Sequence, residues 1–199
     1  EGETEPKTGG MGAYSPSPII DKSIKKKIKD KIIKPTLMYL KKKKNPYTGF
    51  LYVGLMIKNK NPYLIEYNIR MGDPECQVIL PRLKTNLLDI INMSLTNKLE
   101  KIKIKWNKSK CMTVVLCSKG YPKSYKKNLR INNLRNVSLD NKTDIFHAGT
   151  SYIKKNLVST GGRVLSITSI GSNLLTVRKK IHKIIKKINW KYGFYRSDI

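Results

Sequence analysis

Acidic side chains are scarce in this 199-residue sequence: 13 Asp and Glu face 41 Lys and Arg, a formal charge of +28 at pH 7. Arginine is scarce too, with 7 residues against 34 Lys. Phosphate and base recognition favour the planar arginine fork, so the shortage weighs against a basic nucleic-acid-binding protein. That reading stays as an alternative, because lysines alone can drive salt-dependent association with DNA or RNA. The accompanying 24 Ile and 16 Asn, against 8 Val, are what AT-rich codons encode, and coding bias accounts for the charge without a selected partner. The only cysteines are Cys76, Cys111 and Cys117. An odd count without CxxC spacing excludes a disulfide framework and a zinc ribbon, and it points to a reducing, cytoplasmic setting. No apolar run approaches the roughly 18 residues of a membrane span, so no membrane partner is expected. A signal-peptide pattern is missing as well, and the first residue is Glu1 rather than Met, which reads as a processed chain or a fragment.

What is present suffices for a folded protein: 39% apolar residues over this length build one large domain or two small ones. Residues 1–18 read as a Gly- and Pro-rich loop. Asp21 caps a helix whose Ile24, Ile28 and Ile32 recur every four residues, and Pro35 should kink or divide it. Phe50–Ile57 and Tyr63–Asn68 pair as a β-hairpin through the turn-forming residues between them. A helix is expected from Leu83 or Lys84 to about Leu99. Lys101–Trp106 then alternates polar and apolar residues as a strand would, and Cys111–Cys117 is a continuous apolar strand. Basic, irregular sequence follows from Lys123 to Lys142. Arg163–Ser169 forms a further strand, and the helix after Gly171-Ser172 carries a stripe of Leu174, Val177, Ile181, Ile184, Ile185 and Ile188. The change of character near residue 100 suggests two domains, 1–100 and 101–199.

Three of the few acids, Glu66, Asp73 and Glu75, fall within ten residues. In a sequence drifting toward lysine, such a cluster marks positions where a carboxylate is required. Glu66, Asn68 and Arg70 follow at period two, which directs them to one face of a strand and its exit. A carboxylate beside an amide oxygen offers hard ligands to Mg²⁺, which leaves its remaining positions to phosphates and water. A guanidinium two residues on can stabilise charge on a transferring phosphoryl group.

The whole segment, Ile65-Glu66-Tyr67-Asn68-Ile69-Arg70-Met71-Gly72-Asp73-Pro74-Glu75-Cys76-Gln77, resembles the metal-binding strand and loop of ATP-grasp carboxylate–amine ligases, and in particular the phosphoribosylamine–glycine ligase family. Further blocks agree in order: Thr8-Gly9-Gly10-Met11-Gly12-Ala13-Tyr14-Ser15-Pro16, Tyr47–Tyr52 with Gly54-Leu55-Met56, Phe146–Thr150, and Gly161–Leu165. The resemblance implies an α+β fold: the C-terminal half of an ATP-grasp domain, then a small mostly β C-terminal domain with one long helix. It also implies that the N-terminal half of the same enzyme is missing, and that the chain by itself is inactive.

The implied reaction joins glycine to 5-phosphoribosylamine at the expense of ATP, through a glycyl phosphate. By resemblance Glu66 and Asn68 hold Mg²⁺ or Mn²⁺, and Arg70 steadies the acyl phosphate unless it serves a structural ion pair with Asp73 or Glu75. Asp73 and Glu75 shape an amine pocket, with helix capping the alternative for Asp73. Thr8, Gly9, Gly10, Met11 and Gly12 form either an anion nest or a plain Gly-rich turn. The family's usual D-K-G-P-N before this block is replaced by Glu3-Thr4-Glu5-Pro6-Lys7. Cys76 is read as a packing residue and His147 as a structural or lining one. An ATP-grasp ligase for another acid substrate is the remaining alternative, and the Thr8–Pro16 block speaks against it.

Overall fold

The computed structural model describes residues 9–199. The first elements are β1 (Gly12–Ser15), α1 (Lys22–Ile28), a π-helical segment (Lys29–Ile33) and α2 (Lys34–Lys42). There follow β2 (Tyr52–Lys58), β3 (Asn61–Asn68), α3 (Cys76–Ile79) and α4 (Leu87–Leu95). The rest comprises β4 (Lys110–Ser118), β5 (Leu129–Arg130), β6 (Thr143–His147), β7 (Thr150–Ile153), β8 (Asn156–Ser159), β9 (Arg163–Gly171), α5 (Leu174–Ile188) and β10 (Gly193–Phe194). These elements form two compact units that interleave along the chain. One contains residues 9–16, Asp73–Arg82 and Asn107–Ile199; the other contains Ser17–Gly72 and Leu83–Trp106.

The first unit is built on an antiparallel sheet of order β1-β4-β9-β6, with β10 pairing the far end of β4 beyond β1. The continuous apolar run of β4 is explained by burial on both faces. Its Met112, Val114 and Leu116 join the Ile-rich face of α5, whereas Val115 and Cys117 pack with Met11 on the other side. On α5 the stripe expected from the sequence is the buried face: Val177, Ile181, Ile184, Ile185 and Ile188 are all inside. Each such side chain contributes about 2 kcal/mol of transfer free energy. Asn173 caps the helix by accepting from the Leu175 and Thr176 amides, and Asn189 ends it in the left-handed region at φ 44°. A small antiparallel sheet, β5-β8-β7, completes this unit.

The second unit sets a helical run against a hairpin. The Asp21 carboxylate accepts from the Ile24 amide at 2.8 Å, as the sequence suggests. Pro35 lies in the first turn of α2, where a missing N–H costs little. The division falls just before it, in the π segment, where the Lys34 amide donates to the Lys29 carbonyl. Ile24 and Ile32 supply the buried positions of this run. Lys27 Nζ donates to the Lys60 carbonyl and to Asn61 Oδ1, both at 2.9 Å, and Thr36 Oγ1 shares a 2.6 Å hydrogen bond with the Tyr67 hydroxyl. The β2–β3 turn uses Asn59 and Lys60, both at positive φ, the geometry a two-residue hairpin with native twist requires.

Two expectations are corrected. The helix anticipated from residue 83 starts only at Leu87, capped by Asn86, and ends at Leu95. The preceding residues are engaged elsewhere: the Lys84 amide donates to the Lys105 carbonyl, the Lys105 amide donates to Thr85 Oγ1, and Leu83 bridges Trp106. The alternating 101–106 segment likewise forms no strand: Lys101 ends a 3-10 turn, and the segment's one β-bridge is at Trp106. A short helix, α3, was not foreseen.

Candidate active site

Glu66 and Asn68 lie on β3, which the hairpin holds antiparallel to β2. Asn68 Nδ2 donates to Glu66 Oε1 at 3.0 Å, so the two side chains share a face as their spacing predicts. The pairing of β3 with β2 shifts just before Glu66: Gly54 opposes Glu66 and Leu55 opposes Leu64, which leaves Ile65 as an extra residue. A bulge of this kind re-aims the side chain beside it. Gly54 leaves room for the result, since a β-carbon there would meet Glu66 Cγ at 2.9 Å. The glycine of the Gly54-Leu55-Met56 block thus clears the space that the Glu66 side chain occupies.

This donor set fits a hard divalent cation. One bond between the two side chains leaves Glu66 Oε2 and Asn68 Oδ1, a carboxylate and an amide oxygen on one exposed strand face. Among the described residues no group of three or more His, Cys, Asp or Glu could hold a metal. A carboxylate and an amide oxygen suit an ion such as Mg²⁺ that takes one or two protein oxygens and completes its shell with phosphate and water. Arg70 follows the end of β3, and its guanidinium donates to the Met71 carbonyl at 2.9 Å.

The other residues singled out in the sequence belong to the first unit. Asp73 is clasped by Arg163, whose Nη1 donates to the Asp73 carbonyl at 2.6 Å and whose Nη2 pairs with Asp73 Oδ2 at 3.1 Å. Gln77 Nε2 donates to the remaining carboxylate oxygen at 2.8 Å. Asp73 therefore accepts from side chains rather than from helix amides. The Glu75 carbonyl accepts from the Val78 and Ile79 amides as α3 begins. Gly10, at φ +80°, closes over the clasp: a β-carbon there would come within 2.3 Å of Arg163 Nη1. Gly9 has open space around it. Met11 is buried against Val115 and Cys117, and Gly12 enters β1 opposite Val114. Thr8 lies outside the described residues.

Arg163 is not among the residues that the sequence singles out as a candidate site. The signal was available, for it closes the Gly161-Gly162-Arg163 block, but its partner lies 90 positions away. The thiols are quiet. Burial pushes Cys117 up to about 12 and Cys111 up to about 11, and it raises Cys76 as well. His147 Nδ1, at the end of β6, lies 3.0 Å from Thr150 Oγ1, at the start of β7.

Residues 1–76 match the ATP-grasp (A) domain of phosphoribosylglycinamide synthetase, and residues 111–199 match its C domain. The chain belongs to the phosphoribosylglycinamide synthetase family. A phosphoribosylamine–glycine ligase of Agrobacterium fabrum is 44% identical over 199 residues, which cover 100% of this chain and 47% of that protein. A chloroplastic phosphoribosylamine–glycine ligase of Arabidopsis thaliana is 40% identical over 203 residues, covering 100% of this chain and 38% of the relative. The crystal structure of a phosphoribosylamine–glycine ligase from Thermotoga maritima aligns with a TM-score of 0.84 at 32% identity, over 100% of this chain and 48% of that one. The chain spans about half the length of the curated synthetase relatives it matches. The α+β class expected from the sequence, part of an ATP-grasp domain followed by a mostly β domain with one long helix, is the fold shared with these synthetases.

Proposed function

We propose that this chain supplies the metal-bearing strand and the C-terminal domain of an ATP-dependent phosphoribosylamine–glycine ligase. The observation that carries the reading is the Glu66–Asn68 pair on β3, with Gly54 clearing space opposite it. In the proposed reaction ATP phosphorylates the glycine carboxylate, and the amine of 5-phosphoribosylamine displaces phosphate to give glycinamide ribonucleotide, ADP and phosphate. A Mg²⁺ or Mn²⁺ ion held through the Glu66 and Asn68 oxygens would offset the negative charge of the ATP phosphates. Glu66 and Asn68 fix the direction of their oxygens through their mutual hydrogen bond. Arg70 exchanges its contact with the Met71 carbonyl for the oxygens of the acyl phosphate. Asp73 and Glu75 border the amine, and Thr8–Gly12 offers backbone amides to an anionic group.

Assignment of 1–100 to the ATP-grasp part and 101–199 to the C-terminal domain is a division by ancestry, supported by family matches that end at 76 and resume at 111. ATP recognition then rests on the part of the synthetase relatives this chain does not span, and that part is its proposed partner. A reducing cytoplasm completes the proposal, supported by three cysteines free of disulfides. The test joins this chain to the matching upstream half of a synthetase relative. Glu66→Ala should abolish metal-dependent formation of glycinamide ribonucleotide with the fold retained; turnover equal to the parent's would overturn the assignment.

A further inference from the structure

Arginine is the cation that coding bias does not explain, and five of the seven in this chain are engaged within the fold. Arg70 donates to Met71, and Arg82 to Ser109, Asn107 and Ser15. Arg163 holds Asp73, Arg178 holds the Ile199 and Ser197 carbonyls, and Arg196 pairs with Asp198. The two arginines whose side chains make no hydrogen bond or ion pair among the described residues are Arg130 and Arg135, and both line one cavity of about 310 Å³ in the first unit.

The lining of this cavity is one-sided in charge. Lys155 adds a third permanent cation, no Asp or Glu takes part, and His147 contributes an imidazole held through Nδ1 by Thr150. Tyr152, whose ring is largely exposed, and Leu157 give the cavity apolar surface. Two guanidiniums that have no carboxylate to neutralise them present paired N–H donors matched to phosphate oxygens. The volume lies at the lower end for small-molecule sites. It suits one phosphate with a sugar or a single nucleoside attached.

We propose that this cavity binds a phosphomonoester, with Arg130 and Arg135 gripping the phosphate, Lys155 adding charge, and Tyr152 and Leu157 covering the carbon skeleton. The proposal stands apart from the metal pair on β3 and does not require the ligase reading. Lysines scattered on a solvated surface would bind anions weakly and without regard to which lysine is lost. A built site depends on these two arginines.

The test is isothermal titration of the whole chain at about 150 mM salt with inorganic phosphate, ribose 5-phosphate and AMP. At least one should bind. Tighter binding of ribose 5-phosphate or AMP than of inorganic phosphate assigns a phosphorylated metabolite, and equal binding of all three assigns the phosphate group alone. Arg130→Gln with Arg135→Gln should weaken binding at least tenfold, and Arg130→Lys with Arg135→Lys should restore only part of it. Lys179→Gln with Lys183→Gln, on the exposed face of α5, removes the same charge and should leave binding within twofold. Both arginines are solvent-exposed, and circular dichroism checks that the variants fold. The proposal is overturned if none of the three ligands binds, or if the lysine control weakens binding as much as the arginine double variant.

Discussion

The clasp between Arg163 and Asp73 allows a quantitative test because it consists of two unequal bonds. One runs from Nη1 to the Asp73 carbonyl at 2.6 Å, and the other is the 3.1 Å ion pair with the carboxylate. The pair is open to solvent, with the arginine side chain 30% exposed and the aspartate 45%. Solvent screening limits it to about 0.2–1 kcal/mol. The main-chain bond is shorter and charge-assisted, in the class that contributes about 1.5–3 kcal/mol. Asp73→Asn removes only the ion pair and should cost under about 1 kcal/mol. Arg163→Met keeps the aliphatic stem but loses both bonds, and should cost about 2–4 kcal/mol. At about 2–4 °C per kcal/mol for a chain of this size, the arginine variant melts about 4–16 °C lower and the aspartate variant less than about 4 °C lower. Calorimetry at pH 7 in 0.1 M and 1 M NaCl separates the two contributions, because salt should erase most of the aspartate effect and little of the arginine effect. Equal losses in the two variants would refute the reasoning, since the carbonyl bond would then contribute nothing.

Other outcomes follow from the core. His182 on α5 is held below its ordinary pKa by burial, then by Arg178 and Lys186, and its ring packs 5.3 Å from that of Tyr195. The folded state therefore favours the neutral ring: its contribution is complete above the unfolded value of about 6.5 and is lost as pH falls below it. The melting temperature should drop between pH 7 and pH 5, and His182→Phe should flatten that slope. A thiol probe at pH 8 should modify Cys76 well before Cys111 and Cys117 in the folded chain, and all three at similar rates in urea. Ile181→Ala, at a fully buried position, should cost about 2–5 kcal/mol in urea titration.

Elements whose residues contact their own neighbours were readable in advance. The α5 stripe, the Asp21 cap and the β2–β3 turn each depend on spacings of two to four residues, and each is present. The helix expected from residue 83 failed because Lys84 and Thr85 are committed to Lys105, a partner that no local pattern discloses. The site divides the same way. Glu66 and Asn68 were legible from period-two spacing, whereas the need for Gly54 opposite Glu66 depends on a register shift in the hairpin. Arg163 escaped because its meaning lies in Asp73 and Gly10, which are distant in sequence.

The interleaving of the two units has a practical outcome for anyone who would cut this protein apart. The polypeptide passes from one unit to the other four times, after residues 16, 72, 82 and 106. The stretch 73–82 is wedged between two visits to the second unit, yet its Arg82 is fastened to Ser15 and to the Asn107 and Ser109 carbonyls. No single scission releases an intact body, and a break near residue 100 strands Arg82 from both carbonyls.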